Sequence, residues 1–290
     1  MLALEDTIHV VIILTMDLLA LLANAVFIFL IKCKTPKDLA SYSHLLLNIA
    51  CVDLFSALCS ALCVPRVLTA AGRIVFVHVG PCTLVAGFAQ CVGLSVLLLL
   101  ISVVYRLWIL RAETRFDRII VNEQLQRAAT IATAFAAVSM PLFYGAGSYT
   151  VPGFTSNLTI SALDMANILP RFCFLSICVA FSPGLLAIFF VRKRLTRRLA
   201  RIQSRAERYR HQMICRSISA QIVLPLAYCA AAALWLLDVS GIVRCSVLQR
   251  GVYTVSNLFS LVSPLTNMYF IPPYRRYLCS HFSRQSSPVS

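Results

Sequence analysis

Residues 8–31 read IHVVIILTMDLLALLANAVFIFLI. One His, one Thr, one Asp and one Asn interrupt a run that is otherwise apolar. At 1.5 Å rise per residue such a helix covers ~36 Å, enough to cross the ~30 Å hydrocarbon core of a bilayer. A strand is a poor alternative, because the run is long and lacks period-2 alternation. In lipid every backbone polar group must be paired within the segment, which a helix does by itself. Glu5 and Asp6 precede the run, and Lys32 and Lys34 follow it.

Six more runs of the same kind follow, at residues 45–64, 83–104, 128–148, 172–191, 218–237 and 252–271. The connections are short, with no linker, low-complexity tract or convincing internal repeat. The chain is 59% hydrophobic and 13% charged, whereas soluble domains carry roughly 25% charged residues. The expected fold is an all-α membrane protein, one seven-transmembrane helix bundle over residues 1–290.

The net charge of +15 does not point to nucleic acid. The basic residues sit in gaps between apolar runs and form no continuous face. With the N-terminus outside, the inner side holds three basic residues in the first loop, five in the second, ten from Arg192 to Arg216 and three in the tail. Only Arg66, Arg73, Arg171, Arg244 and Arg250 fall outside. The positive-inside rule then fixes N-outside, C-inside. The first run is too long for a signal-peptide core and lacks a basic segment before it, so it reads as an uncleaved anchor. The tail before it, about seven residues, is too short for a ligand-binding domain. The crowd at Arg192–Arg216 suits attraction to an anionic leaflet, about 1 kcal/mol per residue.

Several residues stand out chemically. Asp17 and Asp53 are ionisable groups inside spans, where such groups face the bundle interior or water. Pro183, Pro225 and Pro264 lie inside spans and bend them. Residues 274–282 read as a short amphipathic helix on the membrane, with Arg275, Arg276 and His281 toward water and Tyr277, Leu278 and Phe282 toward lipid. Cys279 within it is a candidate for S-palmitoylation. Asn157-Leu158-Thr159 is a glycosylation sequon in the second outer loop. Most of the twelve cysteines lie in apolar runs, where a free thiol behaves as a small hydrophobe.

A family resemblance rests on particular residues. Asn24 in the first span, Asn48-Ile49-Ala50-Cys51-Val52-Asp53-Leu54 in the second, Cys82 and Tyr105-Arg106 at the two ends of the third, and Pro264 in the seventh resemble rhodopsin-like G-protein-coupled receptors. Gly80-Pro81-Cys82, Pro65-Arg66, Gln221-Ile222-Val223-Leu224-Pro225 and Pro273-Tyr274-Arg275 narrow it. Together they look like the nematode serpentine chemoreceptors of the Str superfamily, Srd type above all. The departures are Val104 where the family has an acid before the arginine, Ser263 before Pro264, Asn267 where it has a tyrosine, and no Cys between Gly145 and Arg171.

The resemblance implies a receptor for a small, uncharged environmental molecule, activating a heterotrimeric G protein, with no cofactor, on the ciliary membrane of sensory neurons. It implies a signalling set of Asn24, Asp53, Ser95, Tyr105, Arg106, Gln221, Pro225 and Pro264. Asn24, Ser95 and Ser263 are the expected polar neighbours of Asp53, which is either a sodium site or a hydrogen-bonded acid. The expected ligand lining is Gln90, Cys91, Phe172, Phe174, Tyr228, Trp235, Tyr253 and Asn257. Cys82 is a disulfide candidate, with Cys173 preferred over Cys245 and a free thiol as the alternative. Two ligand classes drop out. None of the four lysines lies in the seventh span, which excludes retinal, and the third span has no acid before Arg106, which counts against amines. The alternative function is a transporter or a ligand-gated channel subunit. An intramembrane enzyme lacks its residues, since the histidines other than His9 lie at span ends or in loops.

Overall fold

The computed structural model describes residues 4–36, 40–64, 66–70, 73–78, 123–131, 148–150, 159–163 and 246–285, with individual positions between 91 and 105 and between 190 and 242. The first helix runs Leu4–Lys34, the second Ala40–Cys63 and the seventh Ser246–Phe270. A terminal helix, Pro272–Gln285, follows the seventh after a bend at Ile271. Described positions at 91–105 and 123–131 are helical. The first helix packs on the second and the seventh, the second on the seventh, and the terminal helix on the seventh and the first.

The first helix is inside-out by the standards of a soluble protein. His9, Ile13, Asp17, Ala20, Asn24, Phe27 and Ile31 are buried, at steps of three and four that mark one helical face. Ile8, Val11, Leu18, Leu22 and Phe29 are exposed, each at half or more of its full area. All three polar side chains on that buried face are hidden while leucine and isoleucine face outward. That pattern is stable only when hydrocarbon surrounds the helix. The second helix repeats it, burying Asp53, Ser56 and Ser60 and exposing Phe55, Leu58 and Leu62.

The helices outrun the apolar runs that identify them. The first extends three residues beyond residue 31, where Lys32 and Lys34 suit the negative end of the helix dipole. The second begins at Ala40 and not at residue 45. It ends at Cys63, and the φ of 38° at Val64, the next residue, lies in the left-handed region. That conformation is costly for a β-branched residue, and it turns the chain out of the helix.

Two connections build a sheet that the sequence reading lacked. β1 is Arg66–Ala70, β2 Arg73–His78, β3 Ser148–Thr150 and β4 Thr159–Leu163. The order is β1-β2-β4-β3, every neighbour antiparallel, with Leu68 opposite Val75, Phe76 opposite Ser161 and Tyr149 opposite Ala162. Ser148, expected as the end of the fourth helix, starts β3. The segments RVLTA and RIVFVH are rich in β-branched residues. β1 lies against the seventh helix, so the sheet caps the end of the bundle opposite the terminal helix.

At the terminal-helix end, Phe27, Leu30, Tyr42, Leu45, Leu46, Leu98, Tyr105, Met268, Ile271 and Tyr274 belong to one apolar core. Tyr277 and Leu278 pack against it. Both were expected on the lipid-facing side, and both are half-buried here, where the terminal helix packs on the first helix.

Candidate ligand and signalling site

Three helices bring polar side chains to one buried seam. Asp17 and Asn24 are seven residues apart on the first helix, which puts them two turns apart on the same face. Asp53, Ser56 and Ser60 do the same on the second. Ser256, Asn257, Ser260, Ser263 and Asn267 do so on the seventh. Every one of these is at most 3% exposed. The seam is where these helices meet, because polar groups left facing lipid are expensive.

The tightest join involves Pro264, which lies inside the seventh helix. A proline has no N–H, so the carbonyl four residues earlier, that of Ser260, loses its helical donor. Asn24 Nδ2 donates to that carbonyl at 2.8 Å and to its own helix at Ala20 O at 2.9 Å. One amide group thereby repairs a proline-broken helix from across the bundle.

Asp53 is fully buried. Ser95 Oγ donates to its Oδ1 at 2.8 Å, tying the second helix to the third span. Ser263 faces the same carboxyl, and Oδ2 completes no hydrogen bond among the described residues. Two of the three expected neighbours are therefore at Asp53. The third, Asn24, directs its amide hydrogens to the two backbone carbonyls instead.

Further toward the terminal helix, the Tyr105 ring stacks on Tyr42 with centroids 6.1 Å apart and planes 2° from parallel. Tyr42 Oη and Ser102 Oγ are 3.1 Å apart, in hydrogen bond. Tyr274 is 1% exposed. Its ring meets Phe27 edge-on at 5.8 Å, and its hydroxyl hydrogen-bonds Thr35 Oγ1 at 2.8 Å. Lys34 Nζ sits 4.5 Å from the Tyr277 ring centre, a cation–π contact. The end of the first helix is thus fastened to the terminal helix.

Of the expected ligand lining, Cys91, Tyr253 and Asn257 are described, and all are buried. Gln90, Phe172, Phe174, Tyr228 and Trp235 lie outside the described residues, as do Arg106, Gln221, Pro225, Cys82, Cys173, Cys245 and Asn157. Cys279 is exposed on the terminal helix, and the seven described cysteines are free thiols. Ser60, absent from the sequence reading, accepts a hydrogen bond from Asn257 Nδ2 at 2.7 Å. Its signal was its place seven residues after Asp53, on the same face.

The chain matches the family described as serpentine type 7TM GPCR chemoreceptor Srd over residues 9–280. It is similar to serpentine receptor class delta-18 of Caenorhabditis elegans, 26% identical over 282 residues, which cover 89% of this chain and 84% of that one. It is similar to serpentine receptor class delta-19 of the same organism, also at 26%, over 89% and 83% of the two chains. Among solved structures it resembles squid rhodopsin with a TM-score of 0.64 and 13% identity, covering 98% of this chain and 88% of the other. At that identity the likeness establishes the fold, a seven-helix rhodopsin-like bundle.

Proposed function

The chain belongs to the Srd-type serpentine seven-transmembrane chemoreceptors, a family of membrane receptors and not of enzymes, and on that premise we propose that it binds a small environmental molecule and activates a heterotrimeric G protein. It acts in the plasma membrane, at the cilia of chemosensory neurons, with its N-terminus and the four-stranded sheet outside and the terminal helix inside. The observation that supports this most is the buried seam. Along it lie three joins between helices: Asn257, in the expected ligand lining, to Ser60, Asn24 to the Ser260 carbonyl, and Ser95 to Asp53. A ligand between the helices would bias contacts that hold the proline-bent seventh helix to the first. Asp53 Oδ2, with Ser95 and Ser263 beside it, is the place for a sodium ion that stabilises the resting state. A secondary transporter, one form of the other reading, is typically built on broken helices, whereas the first, second and seventh helices are each a single continuous helix.

The test is agonist-dependent G-protein dissociation in cells displaying the full chain, screened against volatile and water-soluble odorants, with Arg106→Ala as control. A response that the control removes at equal surface level supports the reading. A ligand-evoked ion current without G-protein dissociation would replace it with the channel reading. Cys279 completes the membrane attachment in this picture. Metabolic palmitate label, released by hydroxylamine, should disappear in Cys279→Ala; label that stays would place the lipid elsewhere.

A further inference from the structure

Asp17 belongs to none of the motifs that carry the family resemblance, yet it is 1% exposed. Neither of its carboxyl oxygens completes a hydrogen bond among the described residues. Ser60 faces it from the second helix. Ser60 Oγ in turn receives the Asn257 amide at 2.7 Å, so one hydroxyl lies between the acid on the first helix and the amide on the seventh. The hydrogen-bond inventory of this cluster is one-sided. With the Asn257 amide on its lone pair, Ser60 keeps a single hydrogen, and no bond from it to Asp17 is completed. What stays uncommitted is acceptor capacity: both Asp17 oxygens and Asn257 Oδ1. Ser56 Oγ, one turn along the second helix, is without a partner as well. No Lys or Arg among the described residues forms an ion pair with Asp17. A buried carboxylate without a cation is strongly unfavourable.

We propose that Asp17, Ser60 and Asn257 form a subsite between the first, second and seventh helices that holds the ammonium group of a small primary amine ligand. An ammonium has three hydrogens, and the cluster offers three open acceptors with one negative charge. A hydroxyl would fill one of them and leave the charge uncompensated. A multivalent metal ion is a worse fit, because no group of three His, Cys, Asp or Glu side chains converges among the described residues. Asn257 and Tyr253, one turn apart on the seventh helix, join the subsite to the expected ligand lining. The missing acid of the third span, which counts against amines in the sequence, is here supplied by the first helix. The proposal rests on the receptor reading for the identity of the pocket, but its test does not depend on signalling.

The full-length protein, purified in a non-ionic detergent, is melted while a thiol-reactive dye reports exposure of buried cysteines such as Cys59, Cys63 and Cys91. The probes are phenethylamine and the straight-chain amines from butylamine to octylamine, each beside the alcohol and the carboxylic acid of the same skeleton. At least one amine should raise the melting temperature while its matched alcohol and acid do not. In Asp17→Asn, which keeps the shape of the side chain, the amine concentration needed should rise about tenfold or more. Asp17→Glu, which keeps the charge, should retain part of the effect and guards against a merely misfolded variant. Equal stabilisation of the wild type and Asp17→Asn overturns the proposal, as does stabilisation by alcohols or acids alone, or by no amine at all. Asp17-dependent amine binding without G-protein dissociation would leave this site standing and sink the signalling reading. Odorant-evoked dissociation indifferent to Asp17→Asn would do the reverse.

Discussion

Asn24→Leu should destabilise the bundle by about 2 kcal/mol, the cost of leaving a buried carbonyl without its donor. The carbonyl concerned is that of Ser260, deprived by Pro264 and supplied by Asn24 Nδ2 at 2.8 Å. Pro264→Ala restores an N–H to the seventh helix, and with it a local donor for Ser260. The pair of substitutions should therefore be less damaging than the sum of the two, with a coupling energy of roughly 1–2 kcal/mol. Thermal unfolding of the four proteins in one detergent measures this cycle. Strict additivity would mean that Asn24 serves some other purpose than mending the proline break. The same cycle read by agonist-evoked signalling separates hinge from strut: a hinge loses activity in Pro264→Ala even though the protein is stable.

Tyr274→Ala should cost about 3 kcal/mol, the low end for truncating a large buried aromatic, since part of the gain from burial is absent where hydrocarbon is the alternative surrounding. The side chain is fully enclosed between Phe27 and the core of the first and second helices. Tyr274→Phe removes only the hydroxyl bonded to Thr35 and should cost about 1 kcal/mol. Thr35→Val should match Tyr274→Phe, and the two together should cost little more than either. A melting-temperature series over these four variants decides it. A Tyr274→Phe loss as large as Tyr274→Ala would shift the weight from ring packing to the hydrogen bond.

Much of this architecture was legible in the sequence because lipid imposes long, unbroken apolar runs. Residues 8–31 announce a spanning helix without further help, and its polar residues, Asp17 and Asn24, announce which face is hidden. The helix ends were not legible, since outside the hydrocarbon the apolar signal stops while the helix continues to Lys34 and back to Ala40. The sheet was missed for a related reason. Arg66–Ala70 and Arg73–His78 alternate β-branched residues around a two-residue gap, a hairpin signal overshadowed by the apolar runs on either side. At the site, Ser95 bonds Asp53 and Ser263 faces it. Asn24 does not, because a backbone carbonyl freed by Pro264 competes for its amide, and no linear pattern shows which acceptor a side chain meets across a bundle. Tyr277 likewise is half-buried against the core, a consequence of the bend at Ile271 that amphipathicity alone does not reveal.

The hydrogen bond from Asn24 to Ser260 spans 236 residues of chain, and that distance is also an interval of time. A ribosome adding 5–20 residues per second needs roughly 10–50 s to make that stretch. Throughout it the first helix waits in the membrane with Asp17 and Asn24 facing partners not yet synthesised. The last spanning helix to emerge is the one that gives Asn24 its acceptor across the bundle. A chain cut short before the seventh helix therefore keeps a first helix whose Asn24 has no acceptor across the bundle.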